Sequence, residues 1–243
     1  MMQRVLVMGV LLLAAPLMFT AWLKVVLDQQ ATTDVSEDTL EATIPRWELP
    51  QLLNAPSVSA NVSQLKQTNQ CVGCNLQGAD LSQLDLDRAI LTQANLSGAN
   101  LHRTRLTNAN LTGANLKNAN LTQLYARGAD LRGANLGGAN LRGAQLMNIN
   151  LAETDLSQAV LDDAELRDSN LMQAHLENTS LQAASLYGAI LIEAKLVRTD
   201  VRGANLTYAN LFQAVLEKTD LLTARLDLAI LPSGTTYQGT VPY

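Results

Sequence analysis

The chain has 243 residues and a net charge of −5, which leaves no electrostatic attraction for nucleic acid or an anionic lipid surface. Leucine and alanine dominate the apolar content and aromatic residues are only 4%, so a core packed by large rings is excluded in favour of a narrow interior. Two cysteines, Cys71 and Cys74, are too few to staple a disulfide-dependent fold.

From Val5 to Leu23 the chain runs nineteen residues without a charge, VLVMGVLLLAAPLMFTAWL. As a helix this is about 28 Å long, enough to cross a bilayer. The competing reading is a cleaved signal peptide, which needs small residues at the first and third positions before the cut. A cut after Ala21 puts Phe19 at the third position and a cut after Ala15 puts Leu13 there. Residues 1–27 are therefore expected to persist as a membrane anchor. Arg4 and the terminal amine ahead of the run favour an amino end in the cytoplasm. Residues 28–57 are acidic, with Asp28, Asp34, Glu37, Asp38, Glu41 and Glu48 against Arg46, and read as a tether. The apolar Ile44, Trp47, Leu49, Leu52 and Leu53 suggest that part of it docks. Residues 58–73 begin with a short helix, with Ser59 as its cap and Val62 and Leu65 on one face, and end in the sequence CVGC.

Residues 74–231 count by fives. With leucine at position i of each five, thirty-two consecutive i positions run from Leu76 to Leu231, and thirty of them are Leu, with Ala126 and Val201 as the exceptions. The i−2 position is usually Ala. No insertion shifts the register. A period of five matches neither 3.6 nor 2, so neither a helix nor an extended strand keeps these leucines on one face. The backbone must turn every five residues. Gly78, Gly98, Gly113, Gly128 and others at i+2, with Asn at several more, fit a turn residue at positive φ. Leucine then points inward with the small i−2 residue beside it, while i−1, i+1 and i+2 face water. This is a solenoid, and its open end calls for a cover such as the helix of residues 58–73.

The stretches GADLSQ, SGANLH, RGANLGGANLRGAQL and RGANLTYANL resemble the A(D/N)LXX consensus of the pentapeptide-repeat family. QLKQTNQCVGC and AILPSGT are similar to the ends of cyanobacterial members. The resemblance implies an all-β, right-handed quadrilateral β-helix with four repeats per coil and residue n stacked on n+20, here preceded by the transmembrane helix and the capping helix and followed by a tail of residues 232–243. Eight coils would span roughly 38 Å. Thr179, Thr199 and Thr219, and separately Ile90, Ile190 and Ile230, recur at multiples of twenty. Leu124 and Ala126 invert the usual large and small positions, which suggests a distortion near Tyr125. The same resemblance makes a lumenal (thylakoid) or periplasmic side the expected place of the repeat domain, at a membrane.

Several features invite a chemical reading. Cys71 and Cys74 suit a redox pair or half of a metal site, but zinc wants four ligands and no second pair exists. The resemblance places both cysteines in inward phases at the first coil, buried thiols or, in an oxidising compartment, a disulfide. His102 and His175 lie more than one coil apart. Asp162, Asp163, Glu165 and Asp168 cluster in sequence, but on a solenoid they spread over different faces as a solvated surface. A Leu/Ala interior offers no pocket, so no catalytic, cofactor-binding or metal residues and no small-molecule substrate are expected. The protein reads as a non-enzyme.

Charge is uneven. Residues 100–149 carry Arg103, Arg105, Lys117, Arg127, Arg132 and Arg142 against Asp130, and residues 150–200 are mostly acidic. The i+1 column Thr92, Thr112, Arg132, Ala152, Met172, Ile192, Phe212 turns apolar at its end. With Tyr187 and Tyr208 on the adjoining face, Met172, Ile192 and Phe212 are expected to form a partner patch for another protein or a second copy, unless the tail with Tyr237 and Tyr243 folds over them. The function expected is a membrane-tethered, non-enzymatic interaction scaffold. The resemblance also raises a DNA-mimic, gyrase-binding role, which the basic band and the absence of Phe at i oppose.

Overall fold

The computed structural model describes residues 56–239. Their architecture follows from a backbone that cannot run straight. Parallel bridges join residues twenty apart, from Gln70 with Ile90 to Asn210 with Ile230, so the coil is twenty residues with four short sides. The i−1 residue of each five makes the bridge. Leu76 N–H donates to Asn95 O at 2.7 Å and Gly78 N–H to Ser97 O at 2.9 Å in the next coil, Asn95 N–H returns to Cys74 O at 2.9 Å, and Ala79 N–H closes the turn on Leu76 O at 3.1 Å. Four bonds per repeat satisfy the backbone beside a dry core.

Inside, leucine at i and alanine at i−2 are almost wholly buried along the rod. Where threonine replaces alanine, its hydroxyl finds a carbonyl: Thr179 Oγ1 donates to Leu156 O at 2.7 Å and Thr199 Oγ1 to Leu176 O at 2.7 Å. At each corner the i+2 residue takes positive φ from Gly73 to Leu228, even where it is Gln, Arg, Glu or Tyr. Thr223 breaks the series. There the Asp200–Asp220 bridge is missing, and Gly203 N–H bonds Thr223 O instead of the carbonyl one residue earlier. A β-branched side chain is costly in the left-handed region, so the unbroken register expected from sequence fails locally at this turn and recovers at Arg225.

The distortion expected near Tyr125 is absent. Leu124 and Ala126 are both buried, and Tyr125 bridges Arg105 and Gln145. Both positions point inward, so exchanging large for small conserves the filled volume.

Helix α1, Val58–Thr68, covers the first coil. Its cap is Ser57, not Ser59: Ser57 is extended and accepts from Ala60 N–H at 3.2 Å. Asn69 ends the helix in the left-handed region, with its N–H on Leu65 O at 2.8 Å. Asn61 and Leu65 are buried, whereas Val62 is half-buried. Val62 and Leu65 both pack against the core, as expected, with Val58 beside them, and the Asn61 amide on the same side meets a carbonyl of the first coil.

The expected localisation, at a membrane with the repeat domain on a lumenal or periplasmic side, is corrected. Among the described residues no helix is long and apolar enough to cross a membrane. Val5 to Leu23, on which that expectation rested, lies outside the described residues, as do the acidic stretch before residue 56 and Tyr243.

Candidate interaction surface

The outward positions are more ordered than a solvated face requires. The i−1 Asn or Asp accepts from the N–H two residues on: Asn75 from Gln77, Asp80 from Ser82, Asn135 from Gly137 at 2.9 Å. This side-chain turn holds each corner and explains why D or N precedes leucine. Asparagine also has donors to spare. Asn100 Nδ2 donates to Asp80 Oδ1 at 3.0 Å and Asn120 Nδ2 to Asn100 Oδ1 at 2.9 Å, and the columns through Asn95 and Asn150 repeat the pattern, so three sides carry an amide ladder between coils. The sequence reading placed i−1 outward and missed the ladder. Its signal was the Asn repeated at steps of twenty.

The carboxylates separate by side. Asp162, read as solvated, is only 8% exposed. It accepts from Arg142 and from Ser180 Oγ, and from Gln182 N–H at 3.2 Å. Asp163 is exposed at the next corner, Glu165 pairs with Arg167 at 3.1 Å, and Asp168 occupies the following corner. These four do not converge. The Arg202 guanidinium and N–H, outweighing partial burial, hold the Asp200 carboxyl below its ordinary range. Desolvation pushes the Asp87 carboxyl up, but Arg105 and the Thr107 N–H together bring it below that range. His102 Nδ1 meets Thr122 Oγ1 at 2.7 Å and His175 lies 3.6 Å from Glu177. Among the described residues no three His, Cys, Asp or Glu side chains are placed to hold a metal ion.

Half of the basic band is neutralised in place. Arg105 pairs with Asp85 and Asp87, Arg132 with Asp130, and Arg142 with Asp162. A linear count separates charges that stacking brings together.

Cys71 and Cys74 form a disulfide, with Cα atoms 5.3 Å apart. Cys71 is fully buried and Cys74 half-buried, at the junction of α1 and the first coil.

On the later coils Met172 is 38% exposed, Tyr187 38%, Tyr208 51% and Phe212 39%, while Ile192 is half-buried. Met172, Ile192 and Phe212 stack along one side. Tyr187 and Tyr208 meet edge to face at the neighbouring corner, centroids 5.3 Å apart. Ile190 and Leu228, 39% and 49% exposed, extend this surface. The sequence reading followed the i+1 column and missed Ile190, although it noted the phase that Ile90, Ile190 and Ile230 share. As far as residue 239, the tail does not cover the tyrosines. It turns back through an antiparallel bridge of Thr236 with Ile230, passes Phe212 at Gly234, and sets Tyr237 on the end of the core.

A family profile described as "Pentapeptide repeats" matches in eight copies over residues 70–108, 109–146, 139–178 and 169–207, more than half of the chain. No curated protein matches it. Among solved structures, the chain is similar to HetL, a pentapeptide repeat protein involved in heterocyst differentiation regulation from Nostoc sp. strain PCC 7120, at 29% identity and TM-score 0.44 over 69% of this chain and 89% of that one. It is similar to a trypsin-treated form of QnrB1, a plasmid-mediated fluoroquinolone resistance protein, at 24% identity and TM-score 0.55 over 66% of this chain and 78% of that one.

Proposed function

The chain belongs to the pentapeptide-repeat family, and on that premise we propose that it is a non-enzymatic protein-interaction scaffold whose later coils carry the binding surface. The observation that supports this reading is the exposed apolar surface of Met172, Tyr187, Ile192, Tyr208 and Phe212. Folding does not require it, because the leucines and alanines beneath already fill the core. Aromatic and aliphatic anchors on a rigid flat side lose little conformational entropy when a protein docks on them. A DNA-mimic role is not favoured: it asks for a continuous acidic surface, and here Arg105, Arg132, Arg142, Arg167 and Arg202 pair with acids along the rod.

The test replaces Ile192 and Phe212 together with serine and compares crosslinked partners and melting with the wild type. A partner lost with intact melting supports the reading. Unchanged partners with unchanged melting eliminate this surface.

A further inference from the structure

The apolar surface of the later coils has a backbone and a border that restrict what can dock on it. Met172, Ile192 and Phe212 follow one corner of a side, Tyr187 and Tyr208 the other, and Ile190 lies between them. The main chain of this side is already paired. Leu171 and Leu191 N–H donate to Ile190 O and Asn210 O at 2.7 Å, and Gln173 and Glu193 N–H to Ile192 O and Phe212 O at 2.9 and 3.0 Å. Met172 and Phe212 N–H donate to the Oδ1 atoms of Asn170 and Asn210 at 3.0 Å. An extended segment therefore finds no strand edge here and would bury its own amides unpaired. A helix arrives with its amides satisfied. Its turn of about 5.4 Å lies close to the coil spacing of about 4.8 Å, so side chains one turn apart meet successive coils from Met172 to Phe212.

The border is acidic. Asp168 stands in the column of Tyr208, and Glu153 and Glu193 follow the corner beside the aliphatic row. All three are exposed, and none enters an ion pair among the described residues. Arg167, next to Asp168, is held by Glu165 at 3.1 Å, and Lys195 stands on the next side. We infer that the occupant of this surface is a basic amphipathic helix of another protein. Its apolar residues, one turn apart, lie along the rod, and Lys or Arg on both flanks meet Asp168 and Glu193. The inference rests on the scaffold role proposed above and gives its partner a chemistry. The same border opposes two other occupants. A second copy docking through this side brings acids against acids, and residues 28–55 of the chain carry six acids against one base.

Fluorescence anisotropy on the full-length chain at low salt tests the inference, with a helical probe peptide of about eighteen residues that carries leucine one turn apart between two rows of lysine. The wild type is expected to bind it one to one. Asp168→Asn with Glu193→Gln should weaken binding about fivefold without changing melting, and the difference should fade at high salt. Asp163→Asn with Glu217→Gln makes the same change of net charge at the rod's two other corners and should leave binding as it is. Ile192→Ser with Phe212→Ser should abolish it. A wild type that ignores the lysine peptide overturns the inference, as does one that binds equally a version with glutamate for lysine or with a central proline. Equal weakening by the two acid pairs overturns it too, since net charge alone would then explain the binding. Crosslinking separates this inference from the reading it rests on. If the serine pair removes a partner whose capture Asp168→Asn with Glu193→Gln leaves untouched, the scaffold role stands and the basic helix falls; if neither pair changes capture, both fall.

Discussion

Leu136 has no exposed surface, and its N–H donates to Asp155 O at 2.7 Å in the next coil. An aspartate there would carry an unpaired carboxylate into a dry interior, at a cost of several kcal/mol. Leu136→Asp is expected to unfold the middle coils, seen as early melting; a variant that melts like the wild type would contradict the inward register. Asp200 tests the outer surface. Its folded carboxyl lies below the ordinary aspartate value of about 3.9, so its stabilisation is full above that value and is lost as pH falls through the folded one. Melting should drop as pH falls below about 4, and Asp200→Asn should flatten that drop. The inward residues were legible because a period of five leaves leucine one place to go. Asp162 was not, because its partners Arg142, Ser180 and Gln182 are eighteen to twenty residues away in sequence, and a linear reading sees only neighbouring acids.

The element of this fold is the turn, and its rule is positive φ at i+2. Thr223 is the place where the rule fails between Gly73 and Leu228, and the missing Asp200–Asp220 bridge accompanies it. Glycine removes the steric reason. Thr223→Gly is expected to restore the bridge and to slow exchange of the Val201 and Gly203 amides, with stability raised by about 0.5–1 kcal/mol once the added unfolded-state entropy of glycine is offset. Unchanged exchange at those amides would mean that something other than the threonine holds the turn open. The sequence already held this information. Among the i+2 residues from 73 to 228, Thr223 is β-branched while the rest are not, but a search for where glycine occurs does not reveal where a branched residue intrudes. The asparagine ladder was missed for a related reason: the consensus D/N was used to recognise the repeat, not asked which donors and acceptors it brings to the next coil.

At the scale of the whole rod, the bridges of the described residues join each coil only to its neighbours, so damage should stay near where it is made. The sequence could foresee the rod and its helical cover because both answer local demands: a turn every five residues, and an end that exposes leucine. It could not foresee how the charges pair, since Arg142 meets Asp162 only once coils stack. The disulfide at the start of the rod tests this one-dimensional view. Cys71 sits on the core under α1, and the bond to Cys74 closes a very short loop, worth about 2 kcal/mol by chain entropy. That stabilisation should be felt by α1 and the first coil alone, because Asn61 and Asn69 tie the helix to that coil through Asn75 O and Asp87 O. Reduction, or Cys71→Ser with Cys74→Ser, is therefore expected to speed amide exchange over residues 61–76 by about thirtyfold, with residues 130–200 unchanged. A thiol-dependent shift of the whole melting transition would show that the rod unfolds as one cooperative unit, and that its first coil nucleates the rest.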